Sequence, residues 1–488
     1  MRGMLALVLG IFSIVSFAQG VVHEYKLDNG LKLIVKQDHR APIMVSQVWY
    51  KVGSSYEHDG ITGVSHVLEH MMFKGTKAVP AGEFSQIISE NGGRENAFTG
   101  QDYTAYFQTM EKSRLPVSFE LEADRMRNLI IPEEEFLKEV QVVMEERRMR
   151  TEDNPQSLTY EQFNATAFVS SPYRLPVIGW MDDLENLQVD DLRDWYQKWY
   201  APNNATLVVV GDVDPEEVYT LAKKHFGPLK PSDISAVKPR LEVAQRGRKQ
   251  IKVEAPAKVP YLMMGYKTPV VLTAGQSWEP YALEVLAGIL DGGDGARLAS
   301  ELVRGKAVAA SAGAGYDGHD RLENLFLLSG TPSNGHSVKD LEKALLDQVQ
   351  RLRETPAQTE ELERVKAQLR ADKVYEQDSI FYQAMQIGIL ETIGLSWKDA
   401  ERYLERIEAV TAEQVQAVAN KYLVEDRLTV AELVPQPIDP DQPRSAGTAQ
   451  HEAYVRIRQR DVRVTAGRRH AAGRGEHRRV VEHQRVDR

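Results

Sequence analysis

Residues 66 to 70 read HVLEH, and their types and spacing suit a metal site. On a helix turning about 100° per residue, His70 lies about 40° around from His66 and Glu69 about 60° the other way, so the three side chains share one face. Two imidazoles four residues apart can reach one zinc ion, and the carboxylate beside them can reach a water on that ion. The competing reading is a solvated helix face with no ligand. A zinc site with two His needs a third protein ligand, and an open fourth position if it is catalytic. The stretch EEFLKEVQVVMEERRMRTEDNP offers Glu139, Glu145 and Glu146. Glu139 and Glu146 are seven apart and share a helix face, whereas Glu145 points away from Glu146. Spacing alone leaves the choice among the three open.

The elements that must hold these residues follow from periodicity. HEYKLDNGLKLIVKQD and APIMVSQVWYKVGS alternate as strands, with a turn at Asp28-Asn29-Gly30. Helical spacing runs from Gly63 to Phe73, from Ala81 to Glu90, and from about Lys112 to Arg150 with a break at Pro132. Between them NAFTGQDYTAYFQTM reads as a strand bounded by Gly92-Gly93, with Tyr103, Ala105 and Phe107 turned inward. The mixture predicts an α+β fold.

The 488-residue length favours two or more domains. Residues 230–247 are proline-punctuated and lack either period, which predicts a linker between domains at 22–229 and 248–436. LENLQVDDLRDWYQKWYAPNNATLVVVG and LERIEAVTAEQVQAVANKYLVEDRLTVAEL share a helix ending in Tyr (Tyr200, Tyr422) and then a strand. Setting Glu139 on Glu363 aligns a second helix pair at nearly the same offset. Two such matches predict an internal duplication: two homologous domains, each an antiparallel-rich sheet flanked by helices.

Composition removes several classes of function. Cysteine is absent, so thiol nucleophiles, disulfides and cysteine zinc sites are excluded, and His and carboxylates must hold any metal. A net charge of -10 argues against nucleic acid as a partner. The leader MRGMLALVLGIFSIVSFAQG has Arg2, an apolar run from Met4 to Phe17, and small residues Ser16 and Ala18 before Gln19. That is the pattern of a secretory signal peptide over 1–18. The run is shorter than the ~20 residues of a spanning helix, so no stable membrane span is expected and the protein should be exported, with the periplasm as its compartment. Residues 437–488 end in a segment with twelve Arg and no Lys from Arg444 onward, expected to be a disordered tail.

HVLEHMMFKGT, NAFTGQDYTAYF and EVQVVMEERRMRTEDNP together resemble the insulinase/pitrilysin-type zinc metallopeptidases, the inverzincins, and among them the bacterial processing-peptidase-like branch. The resemblance runs over roughly residues 24 to 436. It implies a zinc-dependent endopeptidase acting on peptides or unfolded polypeptides, with one Zn2+ per chain. It makes His66, His70 and Glu146 the ligands, Glu69 the general base, and Glu139 a supporting carboxylate behind a ligand. It implies that Asn96, Ala97 and Phe98 line an edge strand that takes the peptide by strand addition. The second half lacks HxxEH, and Arg370 stands where Glu146 stands in the first, so it should be inactive. The family's second half supplies an Arg and, seven residues on, a Tyr that hold substrate. VRGKAVAAS keeps Arg304 but has Ser311 in the Tyr position. The resemblance therefore implies a homodimer, or a heterodimer with a homologous subunit carrying an intact Arg/Tyr pair. The alternative from another class is a non-catalytic structural or assembly subunit.

Overall fold

The computed structural model describes residues 20–438 except 236 and 239; the leader expected at 1–18 and the Arg-rich tail from residue 439 onward lie outside them. The first half forms β1 (Val22–Lys26), β2 (Lys32–Gln37), β3 (Ile43–Tyr50), α1 (Val64–Met71), α2 (Glu83–Glu90), β4 (Arg94–Thr99) and β5 (Thr104–Glu111). It continues with α3 (Leu115–Asn128), α4 (Glu133–Arg147), α5 (Pro155–Ala167), α6 (Met181–Asn186), α7 (Val189–Trp199), β6 (Ala205–Gly211) and α8 (Pro215–His225). The second half forms β7 (Lys249–Pro256), β8 (Tyr261–Thr268), α9 (Glu279–Asp291), β9 (Ala309–Gly315) and β10 (Asn324–Pro332). After these come α10 (Val338–Glu354), α11 (Thr359–Glu376), α12 (Ile380–Ile393), α13 (Trp397–Glu408), α14 (Ala412–Tyr422) and β11 (Leu428–Gln436).

The sheets are ordered β1-β2-β6-β3-β5-β4 and β7-β11-β8-β10-β9. With β1 set aside, both have the same order and the same directions: β2 with β6, and β7 with β11, are parallel, and the remaining pairs are antiparallel. Between the second strand pair and the last strand of each half stand five helices, α3 to α7 and α10 to α14. This repeated topology is the duplicated α+β architecture that the two helix-strand repeats predicted. NAFTGQDYTAYFQTM differs from the expectation of one strand. Gly100 N–H donates to the Tyr103 carbonyl at 2.7 Å, and this tight turn splits the segment into β4 and β5.

Each sheet has helices packed on both of its faces. On one face of the first sheet, Leu33, Val35, Val48 and Leu207 pack with α1, α3, α4 and α7 residues. On the other, Ile34, Val45, Trp49 and Val208 pack with Ala384 and Ile387 of α12, a helix from the second half. Tyr103, Ala105 and Phe107 join this second face. Reciprocally, Phe163 and Ala167 of α5, from the first half, pack with Met263 and Ala431 of the second sheet. The two halves thus exchange one helix each.

Size is matched across both crossings. Gly388 of α12 lies against the Trp49 indole, where an added Cβ would fall 2.0 Å from Cε2. On the other side the glycine is in the sheet: Gly265 of β8 faces Phe163 of α5, at 2.6 Å from a built Cβ to Cζ. Polar contacts tie the halves as well. Arg321, between β9 and β10, donates to Asp102 Oδ1 at 2.9 Å and to Ser55 Oγ at 2.7 Å. The linker has no helix or strand among its described residues. Its Glu242 carboxylate accepts the backbone N–H groups of Val169, Ser170 and Ser171 and pairs with Lys267.

Candidate metal centre

Helix α1 carries His66, Glu69 and His70 on the face turned to α4, which carries Glu139 and Glu146. The N-terminus of α1 is held by Glu57, a buried carboxylate that accepts Gly63 N–H at 2.8 Å and Ser65 N–H at 2.9 Å. A side chain nine residues before His66 thereby satisfies donors that the first turn leaves free. Burial pushes the Glu57 carboxyl up to about 7 against those hydrogen bonds.

Three donor atoms converge. His70 Nε2 is 3.5 Å and His66 Nε2 3.9 Å from Glu146 Oε2, and one ligand atom from each of the three side chains lies within 4.8 Å of the others. Among the described residues this is the one such group of His and carboxylates. Glu145, next in sequence, is half-exposed and pairs with Arg148 at 3.0 Å, away from the histidines. That separates Glu146 from Glu145, which spacing had left open. Glu139 Oε2 stands 3.1 Å from His70 Nδ1, while its Oε1 pairs with Lys74 Nζ at 2.6 Å. Glu146 Oε1 is held by Arg150, one turn on.

The electrostatics differ between the two histidines. Burial pushes His66 down to about 4, more than nearby Glu146 lifts it, so its imidazole is neutral near pH 7. Its Nδ1 is buried without a hydrogen-bond partner. For His70 burial acts downward too, but Glu139 and Glu146 outweigh it and raise the group to about 9. Glu139 is held down to about 2 by His70, against burial, with help from Lys74. Burial opposes ionisation of Glu146, yet His70, His66 and Arg150 bring it to about 2. Glu69 is half-buried, and desolvation raises it to about 7 although Thr99 Oγ1 donates to its Oε2.

β4 is the outer strand of its sheet. Because Gly100 pairs with Tyr103 by hydrogen bond, antiparallel alternation points the N–H and C=O groups of Glu95, Ala97 and Thr99 away from β5, to the open edge. Ala97 N–H is met there by the Asn96 side chain, Oδ1 at 2.9 Å. Asn96 is exposed, and Ala97 and Phe98 are buried, Phe98 against Trp49 on the α12 side. Arg304 is elsewhere: it is half-exposed after α9 and bonds to Asp294. Ser311 is exposed on β9. The second half repeats the scaffold without the chemistry, since α9 and α11 contain no histidine and Arg370 pairs with Glu408.

Glu57, Lys74, Thr99 and Arg150 were not singled out in the sequence. Arg150 stands four residues from Glu146 on continuous helical backbone, a spacing that could have flagged it. Lys74 and Thr99 meet their partners only through the tertiary fold, and Glu57 reaches Gly63 and Ser65 through the loop that precedes α1.

Comparison with known proteins agrees with this geometry. Residues 32–179 match the insulinase family (Peptidase family M16) and residues 186–369 match the Peptidase M16 inactive domain. The chain belongs to this peptidase family. Zinc protease PqqE of Helicobacter pylori is 36% identical over 354 residues, which cover 71% of this chain and 78% of that protein. An uncharacterized zinc protease of Rickettsia bellii is 28% identical over 397 residues, 81% of this chain and 93% of its own. The crystal structure of a protease from Helicobacter pylori superposes with a TM-score of 0.80 at 32% identity, over 85% of this chain and all (100%) of that one.

Proposed function

We propose that this chain is a zinc-dependent endopeptidase that hydrolyses peptides or unfolded polypeptides at the α1–α4 centre. The observation that carries the reading is the convergence of His66, His70 and Glu146 beside the half-buried Glu69 and an outer strand edge. The donor set fits zinc. Tetrahedral bonds of 2.0–2.2 Å place ligand atoms roughly 3.3–3.5 Å apart, close to the 3.5 and 3.9 Å found here. His66, His70 and Glu146 would hold the ion, with Glu139 fixing the His70 ring and Arg150 the second oxygen of Glu146. When bound, zinc supplies Lewis acidity to the scissile carbonyl and lowers the pKa of water.

The chain's own residues do the rest. β4 takes the substrate backbone as an added strand, which selects extended polypeptide over folded protein. Glu69, raised to about 7, is matched to accept a proton from the attacking water and return it to the leaving amine near neutral pH. No covalent acyl-enzyme is required. Glu69→Gln should keep full zinc content while peptide cleavage falls by at least about 10²-fold; cleavage at the wild-type rate would overturn the assignment.

The same reading includes export through the 1–18 leader and a partner subunit that completes the substrate clamp. Exposure of both Arg304 and Ser311 supports the latter, because that surface is open to a second chain. Peptidase activity that rises when a homologous subunit is added would support the partner; full activity from the purified monomer would overturn it. The match of residues 186–369 to an inactive domain favours the non-catalytic alternative only for the second half, where the ligands are missing.

A further inference from the structure

The strand with the free edge also carries a hydroxyl aimed at Glu69. Ala97 and Thr99 are two apart on β4, so their side chains fall on one side of the sheet and their backbone polar groups on the same open edge. Thr99 is buried, and its Oγ1 donates to Glu69 Oε2. Glu69 needs such a restraint. Its carboxylate is close enough to that of Glu146 to be repelled, and its chain of three rotatable bonds gives it room to swing aside. Pinning one oxygen leaves the other directed by the strand.

We propose that Thr99 is a positioning residue for Glu69, and that through it the placement of the base is tied to the strand on which the peptide is laid. The inference rests on the peptidase reading above. Thr99 touches neither ligand nor scissile bond; it sets the orientation from which Glu69 meets the water. A shift of β4 when a peptide adds to its edge moves Thr99 and Glu69 together, so base and backbone keep register. Misplacement of such a group by about 1 Å is enough to cost rate.

The test compares Thr99→Val, which keeps the shape and deletes the hydroxyl, with Thr99→Ser, which keeps the hydroxyl. Thr99→Val should lower kcat about tenfold with KM changed less than about twofold, while zinc content and melting temperature stay at wild-type values. Thr99→Ser should restore kcat to within about twofold. A crystal structure of Thr99→Val should show the Glu69 carboxylate displaced. Unchanged kcat, a change confined to KM, loss of zinc or of melting temperature in step with activity, failure of Ser to rescue, or an unmoved Glu69 would each overturn the inference. Glu69→Gln assayed alongside separates the two claims. If it cleaves normally, both the base and its positioning residue fall; if it is dead but zinc-loaded while Thr99→Val matches wild type, only the present inference falls.

Discussion

Gly388→Ala tests the helix exchange with opposite signs for opposite premises. In an isolated helix the change is favourable by about 1 kcal/mol, because alanine is the better helix former. Here the new methyl would lie 2.0 Å from Trp49 Cε2, 2.2 Å from Nε1 and 2.5 Å from Cδ2. Relief to ordinary contact requires a shift of about 1.4 Å by a ring that is fully buried. Trp49 has little freedom: its Nε1 donates to Gln47 at 2.9 Å, and its ring stands edge-on to Phe98 and Tyr103 at 5.3 and 5.2 Å. Either α12 lifts from the sheet or the indole leaves its slot. Overpacking of this kind costs about 1–3 kcal/mol and occasionally more; less the helix gain of about 1 kcal/mol, we expect net destabilisation of about 1–2 kcal/mol. Urea unfolding should show the midpoint falling at unchanged slope. Trp49→Leu in the Gly388→Ala background should be less harmful than in wild type, with a coupling of at least about 1 kcal/mol. A Gly388→Ala protein as stable as wild type, or more so, would refute the packing account. Gly265→Ala should cost less, since it meets the tip of the Phe163 ring at 2.6 Å rather than the body of an indole.

At the metal centre, Glu139→Gln should weaken zinc affinity roughly 10- to 100-fold without emptying the ligand set, measured by competition with a chelating dye. Metal-free His70, raised to about 9, holds a proton at neutral pH that zinc must displace. Apparent zinc affinity should therefore rise about tenfold per pH unit between about pH 6 and 8, with proton release visible by calorimetry in buffers of different ionisation enthalpy; pH-independent affinity would contradict the assignment. Away from the site, burial raises Glu284 from 4.5 to about 7 even though Tyr403 donates to it. The native state keeps a proton that the unfolded chain has released, so this group's contribution to stability is largest below about 4.5 and declines as pH climbs to about 7. Glu284→Gln should then gain on wild type between about pH 5 and 8 in thermal unfolding, and parallel pH profiles would count against it.

The local part of the site was legible and the long-range part was not. His66, Glu69 and His70 lie on one face by helical phase alone, so the sequence placed them together whatever packs above them. Glu146 and Glu145 are adjacent on the same helix, and only the position of α4 over α1 decides which one meets the histidines; there the family resemblance, not the periodicity, pointed to Glu146. Thr99 and Glu69 are 30 residues apart and meet because an outer strand passes over a helix, which no window of residues encodes. The duplication showed through because Tyr200 and Tyr422 end equivalent helices. The exchange of α5 and α12 did not, because an apolar helix face does not state which sheet it will cover. The β4–β5 turn was missed for a simpler reason: a single Gly100 amid β-branched and aromatic residues reads as a continuing strand until the Gly100–Tyr103 hydrogen bond is seen.

The helix exchange also sets a timetable for synthesis. Once β6 ends at Gly211, every strand of the first sheet exists, yet the helix that roofs Ile34, Val45, Trp49 and Val208 begins only at Ile380. At about 5–20 residues per second, those intervening 169 residues (380 − 211) take roughly ten to thirty seconds to emerge from the ribosome. Throughout that interval an apolar surface with an indole at its centre faces solvent on the nascent chain, a natural landing place for a chaperone and the stage at which a stalled or truncated product would aggregate.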